Sequence, residues 1–231
     1  MAGAIMRLPI ELRACLLILV LLMTSSVAAA NMTQGAQIAN AGNGHGAPPC
    51  ASCHGVMSEG NAVAGFPRLV GLPPEYLQNQ LTDFASGQRQ NAMMTPIAKA
   101  LSADEMASLA AYYTQLPVPT KVTPLASGTA GNTASSIGEQ LANRGRWSDG
   151  VPACSSCHGQ GGVGVGANFP ALAGQSSLYL VNQLQAWRKG TRDAGPLGLM
   201  GGIAKKLSDA EVQAVADYFS EQTPATPGEK P

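Results

Sequence analysis

The sequence predicts an all-α protein made of two tandem copies of one small helical domain. Three observations support this. The chain repeats itself at an offset that drifts only from 103 to 106 residues. Apolar residues at helical spacing recur in both copies, and no stretch alternates apolar and polar residues as a half-buried strand would. A length of 231 residues accommodates one or two domains.

The repeat can be followed residue by residue. Gly42 matches Gly145, Phe66-Pro67-Arg68-Leu69-Val70-Gly71 matches Phe169-Pro170-Ala171-Leu172-Ala173-Gly174, and Tyr76, Leu77, Gln80, Leu81 and Phe84 match Tyr179, Leu180, Gln183, Leu184 and Trp187. Gly87-x-Arg89 matches Gly190-x-Arg192. Met94, Ile97, Ala98, Lys99, Leu101 and Ser102 match Met200, Ile203, Ala204, Lys205, Leu207 and Ser208.

Residues 1–30 stand outside the repeat. Arg7 and Arg13 form a basic start, Cys15 to Met23 is a short apolar run, and Ser26 to Ala30 ends in small residues of A-x-A type. This is the pattern of a cleavable signal peptide, so the mature protein is expected in the periplasm. The apolar run is about half the ~20 residues that a membrane-spanning helix needs. The first domain is expected over 31–116, a Pro/Ser/Thr/Gly linker over 117–135, the second domain over 136–223 and a flexible tail over 224–231.

Each copy should open with a helix. In the first it runs from about Thr33 to Gly42; in the second Ser136-x-x-Glu139 reads as a capping box and the helix ends near Gly145. The Tyr-Leu-Gln-Leu face then predicts a helix closed by Gly87, and its counterpart one closed by Gly190. A last helix is expected after Ser102-x-x-Glu105 and after Ser208-x-x-Glu211, both capping boxes. Domains of about 85 residues with so few rings pack poorly alone. Four Phe, two Trp and five Tyr serve the whole chain, so another source of apolar bulk is needed.

The charge balance excludes some functions. Fourteen basic residues face fourteen acidic ones, and only 12% of residues are charged against a usual quarter. No nucleic-acid partner is therefore expected, since phosphate contacts need clustered Lys and Arg.

The chemistry lies in Cys50-Ala-Ser-Cys53-His54 and Cys154-Ser-Ser-Cys157-His158. C-x-x-C-H is the attachment sequence for c-type haem. Two thiols add to the two vinyl groups of one haem, and the adjacent imidazole reaches the iron from the same side. Two copies imply two covalently attached haem c groups as cofactors, which would fill the ring-poor cores. A zinc ribbon needs its cysteine pairs 15 to 20 residues apart, whereas about a hundred residues separate these. Structural disulfides and a thioredoxin-like dithiol both leave the following histidines unexplained.

The two CxxCHG motifs, the FPxLxG segments at Phe66 and Phe169, and the Met segments before the Leu-Ser helix starts together resemble the dihaem class I cytochromes c of the cytochrome c4 type. The resemblance covers essentially the whole mature chain. It implies two tandem cytochrome c domains, each a few short helices wrapped around a haem, in a periplasmic electron carrier. It also implies that Pro67 and Pro170 accept the proximal imidazole N–H through their carbonyls.

Axial ligation follows partly from counting. His54 and His158 supply one nitrogen to each iron, and His45 is the only other histidine, so bis-histidine ligation of both haems by this chain is excluded. His45 has no counterpart in the second copy and reads as a loop residue. Met94 and Met200 are the distal candidates, each seven residues before the Leu-Ser pair; Met93 is the rival to Met94. Met57 and Met106 read as core fillers.

A six-coordinate His/Met haem has no open position, so the expected function is electron transfer rather than catalysis. The expected donor is a membrane quinol oxidoreductase or a dehydrogenase, the expected acceptor a terminal oxidase or reductase, and association with the membrane surface stays open. Two alternatives are a haem-relay subunit of a periplasmic dehydrogenase complex and a dihaem peroxidase, which would need a releasable distal ligand. Differences between the copies, Phe84 against Trp187 and Met93 against Leu199, predict two unequal potentials.

Overall fold

In a computed structural model, the structure describes residues 32–119, 132–195 and 197–224. The expected signal peptide, 1–30, most of the expected linker and nearly all of the expected tail lie outside the described residues.

The first unit contains α1 (32–41), α2 (Ala51–His54), α3 (Pro74–Ser86), α4 (Met94–Lys99) and α5 (Ala103–Gln115). The second repeats the order with α6 (Asn132–Asn143), α7 (Ser155–His158), α8 (Ser177–Lys189), α9 (Leu199–Ala204) and α10 (Asp209–Glu221). Among the described residues, extended backbone pairs only as isolated bridges, one of them Arg89 with Arg192. The structure is thus all-helical.

Local chemistry explains the helix limits. α3 starts at Pro74, whose missing N–H costs nothing in a first turn, and ends at Gly87 in the left-handed region with φ +85°. α8 ends the same way at Gly190. α5 and α10 open with reciprocal capping boxes, Ser102 with Glu105 and Ser208 with Glu211. α6 departs from expectation: it begins at Asn132, so Ser136 lies inside the helix rather than capping it.

In each unit the first helix crosses the last at a glycine. A Cβ on Gly35 would lie 2.1 Å from the Ser108 carbonyl oxygen, and one on Gly138 would lie 2.2 Å from that of Ala214. These crossings bring α1 onto α5 and α6 onto α10 backbone to backbone. The first core gathers Ile38, Leu77, Leu101, Met106, Leu109 and Tyr113; the second gathers Leu141, Leu180, Leu184, Val212, Val215 and Phe219. Ala171 of the second unit packs into the first core. Met106 is core as expected, but Met57 is 45% exposed and fills no core, because the turn after α2 puts it on the surface.

Candidate functional site

The two C-x-x-C-H segments fold into single helical turns. Cys50 is the N-cap of α2 and Cys154 that of α7, both with helical backbone. Thiols three residues apart therefore stand one turn apart on one side, and the histidine closes the turn: His54 N–H donates to the Cys50 carbonyl and His158 N–H to that of Cys154, each at 2.9 Å. Gly55 and Gly159 follow at φ +85° and +79°. That backbone, open to glycine, turns the chain away from the ring.

Both imidazoles are buried and point the same way. His54 Nδ1 lies 2.9 Å from the Pro67 carbonyl oxygen, and His158 Nδ1 lies 2.8 Å from that of Pro170. A ring whose Nδ1–H is held by a carbonyl offers Nε2 as its ligand nitrogen. Burial lowers both histidine pKa values, with the proline carbonyls opposing. The neutral, metal-binding form therefore dominates at neutral pH. Phe66 and Phe169 stand by these rings at equal centroid distances of 6.1 Å.

None of the four cysteines is in a disulfide. Burial raises the Cys50 thiol and pushes Cys154 up to about 11. A redox-active dithiol needs the opposite shift. Among the described residues no cluster of His, Cys, Asp and Glu could hold a metal ion alone.

In the second unit a cavity of about 830 Å³ brings Cys154, Cys157, His158 and Met200 together, walled by Leu180, Leu184 and Phe219. Its chemistry and apolar lining fit a covalently attached haem. Met200 is half-buried near the start of α9, while the preceding Leu199 is 47% exposed. The first unit repeats this: Met94 is half-buried at the start of α4 and Met93 is 52% exposed. Asn91 Oδ1 accepts from the backbone N–H of both methionines at 2.9 Å, fixing the turn. His45 is exposed in a loop.

The second cavity is not closed by its own unit. Tyr76, Gln80 and Asp83 of α3 form part of its wall. Around them lies a pseudo-symmetric polar interface. Arg89 donates to Gln80 (2.8 Å), Tyr179 (2.9 Å) and Gln183 (2.6 Å). Arg192 donates to Gln183 (3.0 Å), Tyr76 (3.2 Å) and Gln80 (2.8 Å). Each guanidinium also lies over a ring of its own unit, Arg89 at 4.4 Å from the Phe84 centroid and Arg192 at 4.1 Å from that of Trp187. Both are buried, and neither is in an ion pair among the described residues. Sequence reasoning found these residues as repeat matches but gave them no role. Polar side chains repeated at one register were the signal.

Comparison with known proteins agrees with this geometry. The family model described as "Cytochrome c" matches residues 136–222, and the one described as "Cytochrome C oxidase, cbb3-type, subunit III" matches 30–112. A thiosulfate dehydrogenase electron acceptor of Thiomonas intermedia is 49% identical over 76% of this chain and 81% of its own. Cytochrome c4 of Thiocapsa roseopersicina is 42% identical over 74% of this chain and 85% of its own. The solved structure of thiosulfate dehydrogenase (TsdBA) from Marichromatium purpuratum superposes with a TM-score of 0.72 at 38% identity, covering 83% of this chain. This chain spans only 40% of that one. Reduced recombinant cytochrome c4 from Pseudomonas stutzeri gives a TM-score of 0.66 at 33% identity, over 75% of this chain and 93% of its own. With a cytochrome c domain on each side of the linker and a C-x-x-C-H turn for one haem c in each, the chain belongs to the dihaem cytochromes c that include cytochrome c4 and the thiosulfate dehydrogenase electron acceptors, and it transfers electrons.

Proposed function

We propose that this protein is a periplasmic electron carrier whose two irons are each held between a histidine and a methionine, His54 with Met94 and His158 with Met200. The domains are those read from the sequence, 31–116 and 136–223, with the second extended forward by the start of α6. The observation that supports the reading best is the convergence of Cys154, Cys157, His158 and Met200 on one apolar cavity, with His158 Nδ1 already engaged by Pro170.

Haem iron supplies the one-electron chemistry, and the chain sets its conditions. Pro67 and Pro170 hold the imidazole planes and keep Nδ1 protonated. As iron ligands, the thioethers of Met94 and Met200 would raise the potential by favouring the ferrous state and would leave no position for a substrate. The apolar walls exclude water. Arg89 and Arg192, buried between the units with no contact ion pair among the described residues and only the longer-range field of Asp83, suit the haem propionates as counterions.

For the donor we favour a dehydrogenase over a quinol oxidoreductase. Relatives 49% and 51% identical to this chain are named thiosulfate dehydrogenase electron acceptors. The acceptor is a terminal oxidase or reductase. The test is stopped-flow reduction of the purified ferric protein by a thiosulfate dehydrogenase with thiosulfate. Reduction of both haems within the enzyme's turnover time supports the reading. Reduction no faster than with thiosulfate alone points to another donor.

A further inference from the structure

In the six residues that carry the proximal carbonyl contact, 66–71 and 169–174, the two units differ in charge at one position. Arg68 follows Pro67 in the first unit, where Ala171 follows Pro170 in the second. Arg68 is only 3% exposed. Its guanidinium donates to the Val70 carbonyl of its own unit and, at 2.8 Å, to the Ala173 carbonyl of the other. Its backbone is clamped by a second-unit side chain: Arg68 N–H donates to Gln175 Oε1 at 2.9 Å, and Gln175 Nε2 donates to the Arg68 carbonyl at 3.0 Å. Burial lowers its pKa to about 10, so it stays charged at neutral pH. Its Nε has no hydrogen-bond partner.

We propose that Arg68, a charge present in only one copy of the repeat, raises the reduction potential of the first-unit haem through a fixed buried charge held by the second unit. This rests on the reading that His54 holds the first iron. The peptide joining Pro67 to Arg68 is bonded at both ends, its carbonyl accepting from His54 and its N–H donating to Gln175. The guanidinium is thus tethered one residue from the proximal contact. A buried positive charge favours the ferrous state, which carries one positive charge fewer. At an effective dielectric of about 20, a unit charge still changes a redox equilibrium on the order of tenfold from as far as about 12 Å. The Gln175 bond opposes this by making the Pro67 carbonyl a better acceptor, but cooperative strengthening is only a fraction of one hydrogen bond. The charge sets the sign. Arg89 and Arg192 do not create the same asymmetry, because they occupy equivalent positions in the two units. Glu59, the acidic residue nearest the first site in sequence, is exposed, so solvent screens it.

The test is spectroelectrochemical titration of the full-length holoprotein. The first-unit wave is marked in a parallel Cys53→Ala background, where one retained vinyl group moves that haem's absorption to longer wavelength. Arg68→Met should lower the first-unit reduction equilibrium constant on the order of tenfold, 59 mV for a one-electron couple. Arg68→Lys should recover most of it. If Arg68→Met fails to fold, Gln175→Glu places a negative charge on the backbone clamp of Arg68, offsetting the buried positive charge, and should lower the same wave. A first-unit wave that does not move overturns the proposal. A parent protein without two low-spin haems, or one whose first haem keeps its spectrum in His54→Ala, overturns the ligand reading and this proposal with it.

Discussion

Arg89 donates a 2.6 Å hydrogen bond to Gln183 across the domain interface, and Arg192 returns one of 2.8 Å to Gln80. The two amide oxygens are shared, since each also accepts from the arginine of its own unit. Two like charges buried side by side repel, so the fold tolerates them only with such acceptors and with anionic groups close by.

Replacing Gln80 by Leu removes an acceptor from both arginines at once. Leaving buried charged donors unsatisfied costs about 1–3 kcal/mol each. Equilibrium denaturation should show a loss of about 2–6 kcal/mol for the two arginines together, and Gln183→Leu should match it. A change within about 0.5 kcal/mol for both would mean that water replaces the lost acceptor.

The helix crossings make a second prediction about stability. A methyl on Gly138 would stand 2.2 Å from the Ala214 carbonyl oxygen, and backbone cannot swing aside as a side chain does. Gly138→Ala should cost about 1–3 kcal/mol, the usual cost of overpacking, despite the better helix propensity of alanine. Gly44→Ala meets no neighbouring atom, though its φ of +74° still disfavours a side chain, so it should cost about 1 kcal/mol. Thermal unfolding of the two variants gives the comparison.

Met94→Ala should open one coordination position, lower that haem's potential and leave the haem covalently attached. Carbon monoxide should then bind the reduced first unit. If the site stays closed, Met93 or another residue is the ligand. Met200→Ala should do the same in the second unit, where Leu199 offers no substitute.

Asp83 gives a pH dependence with a definite sign. Burial raises its pKa above 3.8, with Arg192 and Arg89 pulling it back, and it lines the second cavity. The folded state therefore holds its proton to higher pH than the unfolded chain. Asp83 contributes stability below pH 3.8 that is lost as pH rises through the folded value. Over the same window its new negative charge should lower the second-unit potential. Asp83→Asn should flatten that slope in a potential-against-pH titration; an unchanged slope assigns it to another group.

The sequence made the repeat, the thiol and histidine turns and the capping boxes of α5 and α10 legible, because each is a short-range pattern with its own chemistry. Pro67 and Pro170 carry the carbonyls that lie 2.9 and 2.8 Å from His54 Nδ1 and His158 Nδ1. Arg68 and Gln175 were not legible: they are 107 residues apart, and a hydrogen bond between units leaves no periodic trace in either. The extra turn of α6 was not legible either, because Asn132 to Ser135 reads as part of a Thr/Ser/Gly linker, and packing of α6 on α10 overrides that composition. Met57 was misplaced because hydrophobicity alone does not show which way a loop residue faces.

The central claim is best tested by the visible spectrum of the purified mature protein, ferric and ferrous, with haem counted per chain and carbon monoxide added to the reduced form. Two covalent low-spin haems that ignore the gas are predicted, as two closed His/Met sites require. A haem that binds carbon monoxide in the unmodified protein, or a count of one, would contradict the account.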